Sequence, residues 1–177
     1  MKINWLMVLP LALTAGFFAM AGWQLANNQD DLSVGADPSA LPSAREGRVA
    51  PDLDLLELGG IDTPLLTREA LDTAGEDLVI LNFFASWCPP CRAEHPTLTA
   101  LAEAGLPLYG VNYRDRDVQA TAFLEELGNP YDLIGTDPAA VVGREWGIVA
   151  MPETFFINAD GVVVLHFRGP VIRRSLD

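Results

Sequence analysis

An α/β domain, a mixed β-sheet with helices on both faces set behind an N-terminal transmembrane helix, is the fold class that the sequence predicts. Three observations predict it. From Trp5 to Ala26 run 22 residues without a charge, rich in Leu, Ala, Met and Phe, which at about 1.5 Å per residue reach across a bilayer core of roughly 30 Å. After Pro51, short apolar runs alternate with segments of helical spacing, as crossover units of a sheet require. Near the end, two strand-like runs flank Ala159-Asp160-Gly161, a β-hairpin signal that makes the sheet mixed.

The anchor comes first. Lys2 precedes the apolar run and Asp30 and Asp31 follow it, so the positive-inside rule keeps the N-terminus in the cytoplasm and exports the rest. Trp5 and Trp23 suit the two interfaces. A cleaved signal peptide is the rival reading, with Ala19-Met20-Ala21 as its small-x-small site. The run exceeds the usual h-region of about 7 to 15 residues, which favours an uncleaved anchor. Residues 1–29 are thus read as anchor and residues 50–177 as the exported domain. Between them, residues 30–49 hold few large apolar side chains and are read as a flexible tether.

Within the domain, Asp52 to Glu57 reads as a short strand closed by Gly59-Gly60, and Thr67 as the N-cap of a short helix to Asp72. Leu78 to Phe84 is a continuous apolar run, the mark of a central strand covered on both faces. A helix follows from about Cys91 to Ala104, with Leu98, Leu101 and Ala102 at helical spacing and Gly105 as its stop. Leu106 to Tyr113 is the next strand. Asp117 caps a helix with Val118, Ala122, Phe123 and Leu127 on its apolar side, ending at Gly128. A shorter helix covers Pro138 to Trp146, and Glu153 to Asn158 and Val162 to Phe167 form the closing hairpin.

Charge narrows the function. Lys and Arg number 11 against 24 Asp and Glu, a formal net charge of −13, which argues against nucleic acid because phosphate binding needs a basic surface. The only cysteines, Cys88 and Cys91, fall directly after the central strand and at the start of a helix. Unpaired N–H groups and the positive end of the helix dipole favour a thiolate there, below the free thiol value of about 8.5. Cys88 is then the exposed nucleophile, and Cys91, one turn on, is placed to attack a mixed disulfide formed on it. Pro89 and Pro90 fit, since first-turn residues have no helical N–H partner to lose. Other readings compete. A structural disulfide across two residues would stabilise weakly. A zinc or copper site on Cys88, Cys91 and His95 lacks an evident fourth ligand, His166 being the only other histidine. Two unrelated thiols complete the alternatives. The strand, the C-x-x-C spacing and the helix favour redox exchange.

The stretch Leu81-Asn-Phe-Phe-Ala-Ser-Trp-Cys-Pro-Pro-Cys-Arg-Ala-Glu-His95 resembles the active site of the thioredoxin superfamily, and the resemblance runs from about Ala50 to Gly169. Gly110 to Arg116, Leu127 to Tyr131 and Gly147 to Ile157 are similar to its CcmG/DsbE branch, the membrane-anchored thiol:disulfide oxidoreductases of cytochrome c biogenesis. A thioredoxin-like fold is therefore implied, with neither cofactor nor metal. In that superfamily the proline matching Pro152 is cis, which puts Met151 in the substrate groove beside the cysteines. Trp87 reads as packed over Cys88 to limit water access, or as a generic hydrophobic residue. Glu94 is a surface acid or a partly buried proton carrier for Cys91, and the resemblance favours the second. Glu153 is a strand-edge acid or part of the groove. His95 reads as a helix-surface residue.

Two departures stand out. Asn82 occupies the place where ordinary thioredoxins carry a buried Asp, so proton handling falls to Glu94 or Glu153. Relatives also continue into a C-terminal helix over one sheet face, whereas only Pro170 to Asp177 follow Gly169, which implies apolar surface left bare there. The function implied is a single-pass inner-membrane protein whose periplasmic domain reduces a disulfide in apocytochrome c or its thiol carrier. Its electrons would come from a membrane thiol relay of the DsbD/CcdA kind. The alternatives are a broader ResA- or TlpA-like reductase and, from another class, a metal-binding chaperone using Cys88, Cys91 and His95.

Overall fold

A computed structural model describes residues 43–72 and 78–172, together with Met20. The predicted membrane helix apart from Met20, most of the tether, residues 73–77 and the last five residues lie outside the described residues. The chain divides into two units, Met1–Ala40 and Leu41–Asp177. The sheet and the helices packed on it belong to the second.

Its elements run α1 (Arg68–Asp72), β1 (Val79–Phe84), α2 (Pro89–Glu103), β2 (Leu108–Tyr113), α3 (Asp117–Leu127), β3 (Leu133–Asp137), α4 (Val141–Trp146), β4 (Glu153–Ile157) and β5 (Val163–Arg168). The strands form one mixed sheet of order β3-β2-β1-β4-β5. β1 is central because all six of its residues are apolar or uncharged and buried. It pairs in parallel with β2, Asn82 opposite Gly110, and antiparallel with β4, Asn82 opposite Thr154. Successive β1 side chains go to opposite cores. Leu81 and Phe83 join Val111, Trp146, Phe155 and Leu71 on the face of α1 and α4, while Ile80 and Phe84 join Leu98, Phe123 and both cysteines on the face of α2 and α3. Each such large apolar side chain contributes about 1.5–3 kcal/mol on burial.

The structure corrects three elements of the sequence reading. Residues 52–57 make no strand: Leu56 forms an isolated bridge with Thr136, and Leu53 and Leu55 turn into the core. The strand there is β3, which the sequence reading passed over. A Cβ on Gly135 would stand 2.7 Å from the Cβ of Leu55, so the crossing segment needs a glycine where a strand pattern would show a side chain. On α3 the buried residues are Ala120, Phe123 and Leu124, whereas Val118 is 81% exposed and Ala122 lies in solvent. The expected N-cap, Asp117, is the first helical residue after Arg116.

The domain also begins earlier than expected. Gly47 N–H donates to the Val163 carbonyl, Val49 bridges Val162, and Ser43 and Ala50 are buried, so residues 43–50 dock on β5. Past β5, Val171 is buried as well. Thr67 does cap α1, accepting from Ala70 N–H at 3.3 Å.

Candidate active site

Cys88 is the N-cap of α2, in extended conformation (φ −98°, ψ 105°), with Pro89 and Pro90 opening the helix. Its sulfur accepts the Cys91 N–H at 3.2 Å. The two cysteines form a disulfide with Cα atoms 5.3 Å apart. In this oxidised form Cys88 is only 3% exposed, not the open nucleophile the sequence suggested, because its sulfur is turned toward Cys91 and the α2–α3 core. Trp87, next to it, is 54% exposed and donates from Nε1 to the Arg114 carbonyl at 3.0 Å.

The loop before the disulfide is held by Asp115. That carboxylate accepts Ser86 N–H, Ser86 Oγ–H, Asn112 Nδ2–H and Arg116 N–H, at 2.6 to 3.1 Å. The register of β1 with β2 ends at Phe84 and Asn112, which brings Ser86 and Asp115 to the same end of the sheet.

Glu94, on the inward face of α2 one turn beyond Cys91, is fully buried. Asn82 Nδ2–H donates to its Oε1 at 3.0 Å and Val171 N–H to its Oε2 at 2.9 Å. Asn82 in turn donates to Thr154 Oγ1 at 3.0 Å and accepts the Tyr131 hydroxyl at 2.8 Å. Burial pushes the Glu94 carboxyl up from 4.5 to about 7, against the Val171 and Asn82 hydrogen bonds that favour its charged form. Burial, with Glu94 nearby, also raises the Tyr131 hydroxyl well above its usual value.

Across the active-site end, the Met151–Pro152 peptide bond is cis. Ile148, Val149, Ala150 and Met151 form one wall of a groove of about 460 Å³ whose other lining is Trp87, Tyr113 and Arg114. Glu153 does not line it. Fully buried on the sheet face opposite Glu94, it accepts Val149 N–H and Ala150 N–H on Oε1 at 2.8 and 2.9 Å, so it braces the groove wall from beneath. Its Oε2 meets His166 Nε2 at 2.7 Å.

His95 is corrected from a surface to a buried residue. Its Nε2 lies 3.0 Å from the Gly128 carbonyl and its ring stands edge-on to Phe123. Burial lowers its pKa. The structure thus sets Trp87 and Met151 on the groove, packs Met151 against the cluster that holds Cys88 and Cys91, buries Glu94 on the same helix as the disulfide, and sends Glu153 to the other face. Tyr131, Thr154, Asp115, His166 and Ser43 were not foreseen. Tyr131 and Asp115 lie in the stretches carrying the family resemblance, while Ser43 and His166 have no local signal.

The profile of the Redoxin family matches residues 45–177. The chain belongs to the Redoxin family. Within it, the chain is 45% identical over 170 residues to a thiol:disulfide interchange protein DsbE homolog of Paracoccus denitrificans, covering 96% of this chain and 88% of that one. It is 37% identical over 176 residues to the interchange protein HelX of Rhodobacter capsulatus, covering 97% and 93%. A solved structure from Chlorobium tepidum, described as a candidate DsbE, superposes with a TM-score of 0.61 at 28% identity over 75% of this chain and 92% of that one. This Redoxin-family chain is a DsbE/HelX-type thiol:disulfide oxidoreductase, and its Cys88–Cys91 disulfide is the redox centre.

Proposed function

We propose that this oxidoreductase works outside the cytoplasm on the inner-membrane surface, tethered by Trp5 to Ala26, and reduces a disulfide in the haem-attachment thiols of apocytochrome c or in their thiol carrier. The observation that carries the reading is that Met151, a wall residue of the groove and the residue before cis-Pro152, packs against the buried cluster holding the helix-capping Cys88 and its partner Cys91. An extended peptide can lie along that wall, as in strand addition. In the reduced protein, the Cys88 thiolate, stabilised by the Cys91 N–H, attacks one substrate sulfur. A Cys88–substrate bond forms, the substrate S–S bond breaks, and the departing thiolate takes a proton. Cys91 then gives up its proton and attacks Cys88 Sγ. The Cys88–Cys91 bond forms and the second substrate thiol leaves, so two electrons pass from the dithiol to the substrate. Glu94, poised near neutrality, is the group that takes the Cys91 proton. A membrane dithiol relay of the DsbD/CcdA kind restores the reduced pair.

The test mixes reduced protein with an oxidised Cys-Ala-Ala-Cys-His peptide. Thiols should appear on the peptide in step with their loss from the protein, and Cys88→Ala should abolish the transfer. Absence of transfer from the wild type would contradict the reading.

A further inference from the structure

Ser43, His166 and Glu153 form a buried chain that the mechanism does not use. Ser43 Oγ lies 2.5 Å from His166 Nδ1, and His166 Nε2 lies 2.7 Å from Glu153 Oε2. All three residues are at most 7% exposed. The His166 ring stacks on Phe155, centroids 3.9 Å apart, and its backbone N–H donates to Glu46 Oε1. The polar atoms satisfy one another when Ser43 O–H donates to Nδ1 and Nε2–H donates to Glu153. Glu153 then accepts three hydrogen bonds, two of them from Val149 and Ala150 N–H. Those two residues sit in the irregular segment between α4 and β4, where no ladder holds the backbone. Val149 is itself 84% exposed, so packing does not hold it either.

We infer that His166 is a positioning residue for disulfide exchange: it fixes the Glu153 carboxylate so that the carboxylate fixes the groove wall at Val149 to Met151, and Ser43 ties the N-terminal segment to the same chain. The inference rests on the reading of the groove as the peptide site. It makes the residues that leave the tether part of the support of the active site. A buried carboxylate deprived of one of three donors rotates or seeks water, and the two loop amides lose their common acceptor.

Two readouts on the full chain test it. Amide hydrogen exchange at Val149 and Ala150 follows the wall directly, without substrate. Steady-state reduction of the oxidised Cys-Ala-Ala-Cys-His peptide, against a small-molecule disulfide, with dithiothreitol regenerating the Cys88–Cys91 dithiol and its uncatalysed rate subtracted, follows the groove. His166→Phe keeps an aromatic ring on Phe155 and removes both ring nitrogens. It should speed exchange at these two amides about tenfold while β1 amides stay protected, and raise the peptide KM about tenfold with kcat and small-disulfide reduction unchanged. His166→Gln, which retains a donor toward Glu153, should restore both. Should His166→Phe fail to fold, Ser43→Ala should give the same changes at smaller size. Unchanged exchange at Val149 and Ala150 in a folded variant would overturn the positioning role whatever the kinetics. Faster exchange with an unchanged peptide KM would overturn it as a role in the reaction. If the wild type reduces peptide no faster than the small disulfide, the groove reading fails, and the exchange result still judges the link from His166 to the wall.

Discussion

Glu94 derives its properties from where the chain puts it. A carboxylate enclosed between α2 and the sheet loses hydration, and the Asn82 and Val171 donors recover only part of that, so its pKa stands near 7. Because the folded-state value lies above the unfolded one, the folded protein holds this proton more tightly than the unfolded chain. The resulting stabilisation is fully present below 4.5 and is lost as pH rises through about 7, a change of about 3 kcal/mol. Glu94→Gln removes the titration but also places an amide NH₂ against one of two N–H donors, which costs about 1–3 kcal/mol at all pH values. Denaturant midpoints measured from pH 4 to 9 should therefore show the wild-type advantage shrinking as pH rises, with the variant flatter through this window. A constant difference across the range would show that Glu94 does not titrate there.

Among the elements, β2 is the one that sets the Glu94 network. Gly110, opposite Asn82 and Ile134, leaves room for the Tyr131 ring: a Cβ there would stand 2.8 Å from Tyr131 Cγ. Gly110→Ala should displace the ring, withdraw the Tyr131 hydroxyl from Asn82 and destabilise the protein by about 1–3 kcal/mol in chemical denaturation. An unchanged midpoint would mean that the ring moves freely. Elements with a strong local pattern were legible in the sequence. β1 is an apolar run interrupted only by Asn82, α2 has its prolines at the start and Gly105 after its end, and the β4–β5 hairpin has its turn. β3 was not, since Gly135 answers to Leu55 far away in the chain. The buried side of α3 was misread because Val118 and Ala122 are apolar yet face solvent, whereas Ala120 and Leu124 flank Phe123 inward. At the site, the cysteine pair was legible from motif and spacing, whereas the cis bond at Pro152 and the burial of Glu94 were legible only through the family resemblance. Burial of His95 and the Ser43–His166–Glu153 chain were not, because they join residues 33, 123 and 13 positions apart.

At the scale of the whole domain, the sheet separates two tasks. Glu94, hydrogen-bonded through Asn82 to Thr154 and Tyr131, lies with the disulfide on the α2–α3 face, where we propose that it handles a proton, while Glu153 and His166 lie on the other face, beneath the groove wall they are proposed to hold. Both reach the same end of the sheet through β1 and β4, which pair side by side. The short loop closed by Cys88–Cys91 contributes little to stability, so the bond is free to serve exchange. The central claim is the division of labour between the two sulfurs, and trapping tests it most directly. Cys91→Ala cannot resolve the intermediate, so reduced variant challenged with an oxidised Cys-Ala-Ala-Cys-His peptide should accumulate a mixed disulfide on Cys88, identified by intact mass and peptide mapping. No adduct on Cys88, or an equal yield of adduct on Cys91 in Cys88→Ala, would contradict it.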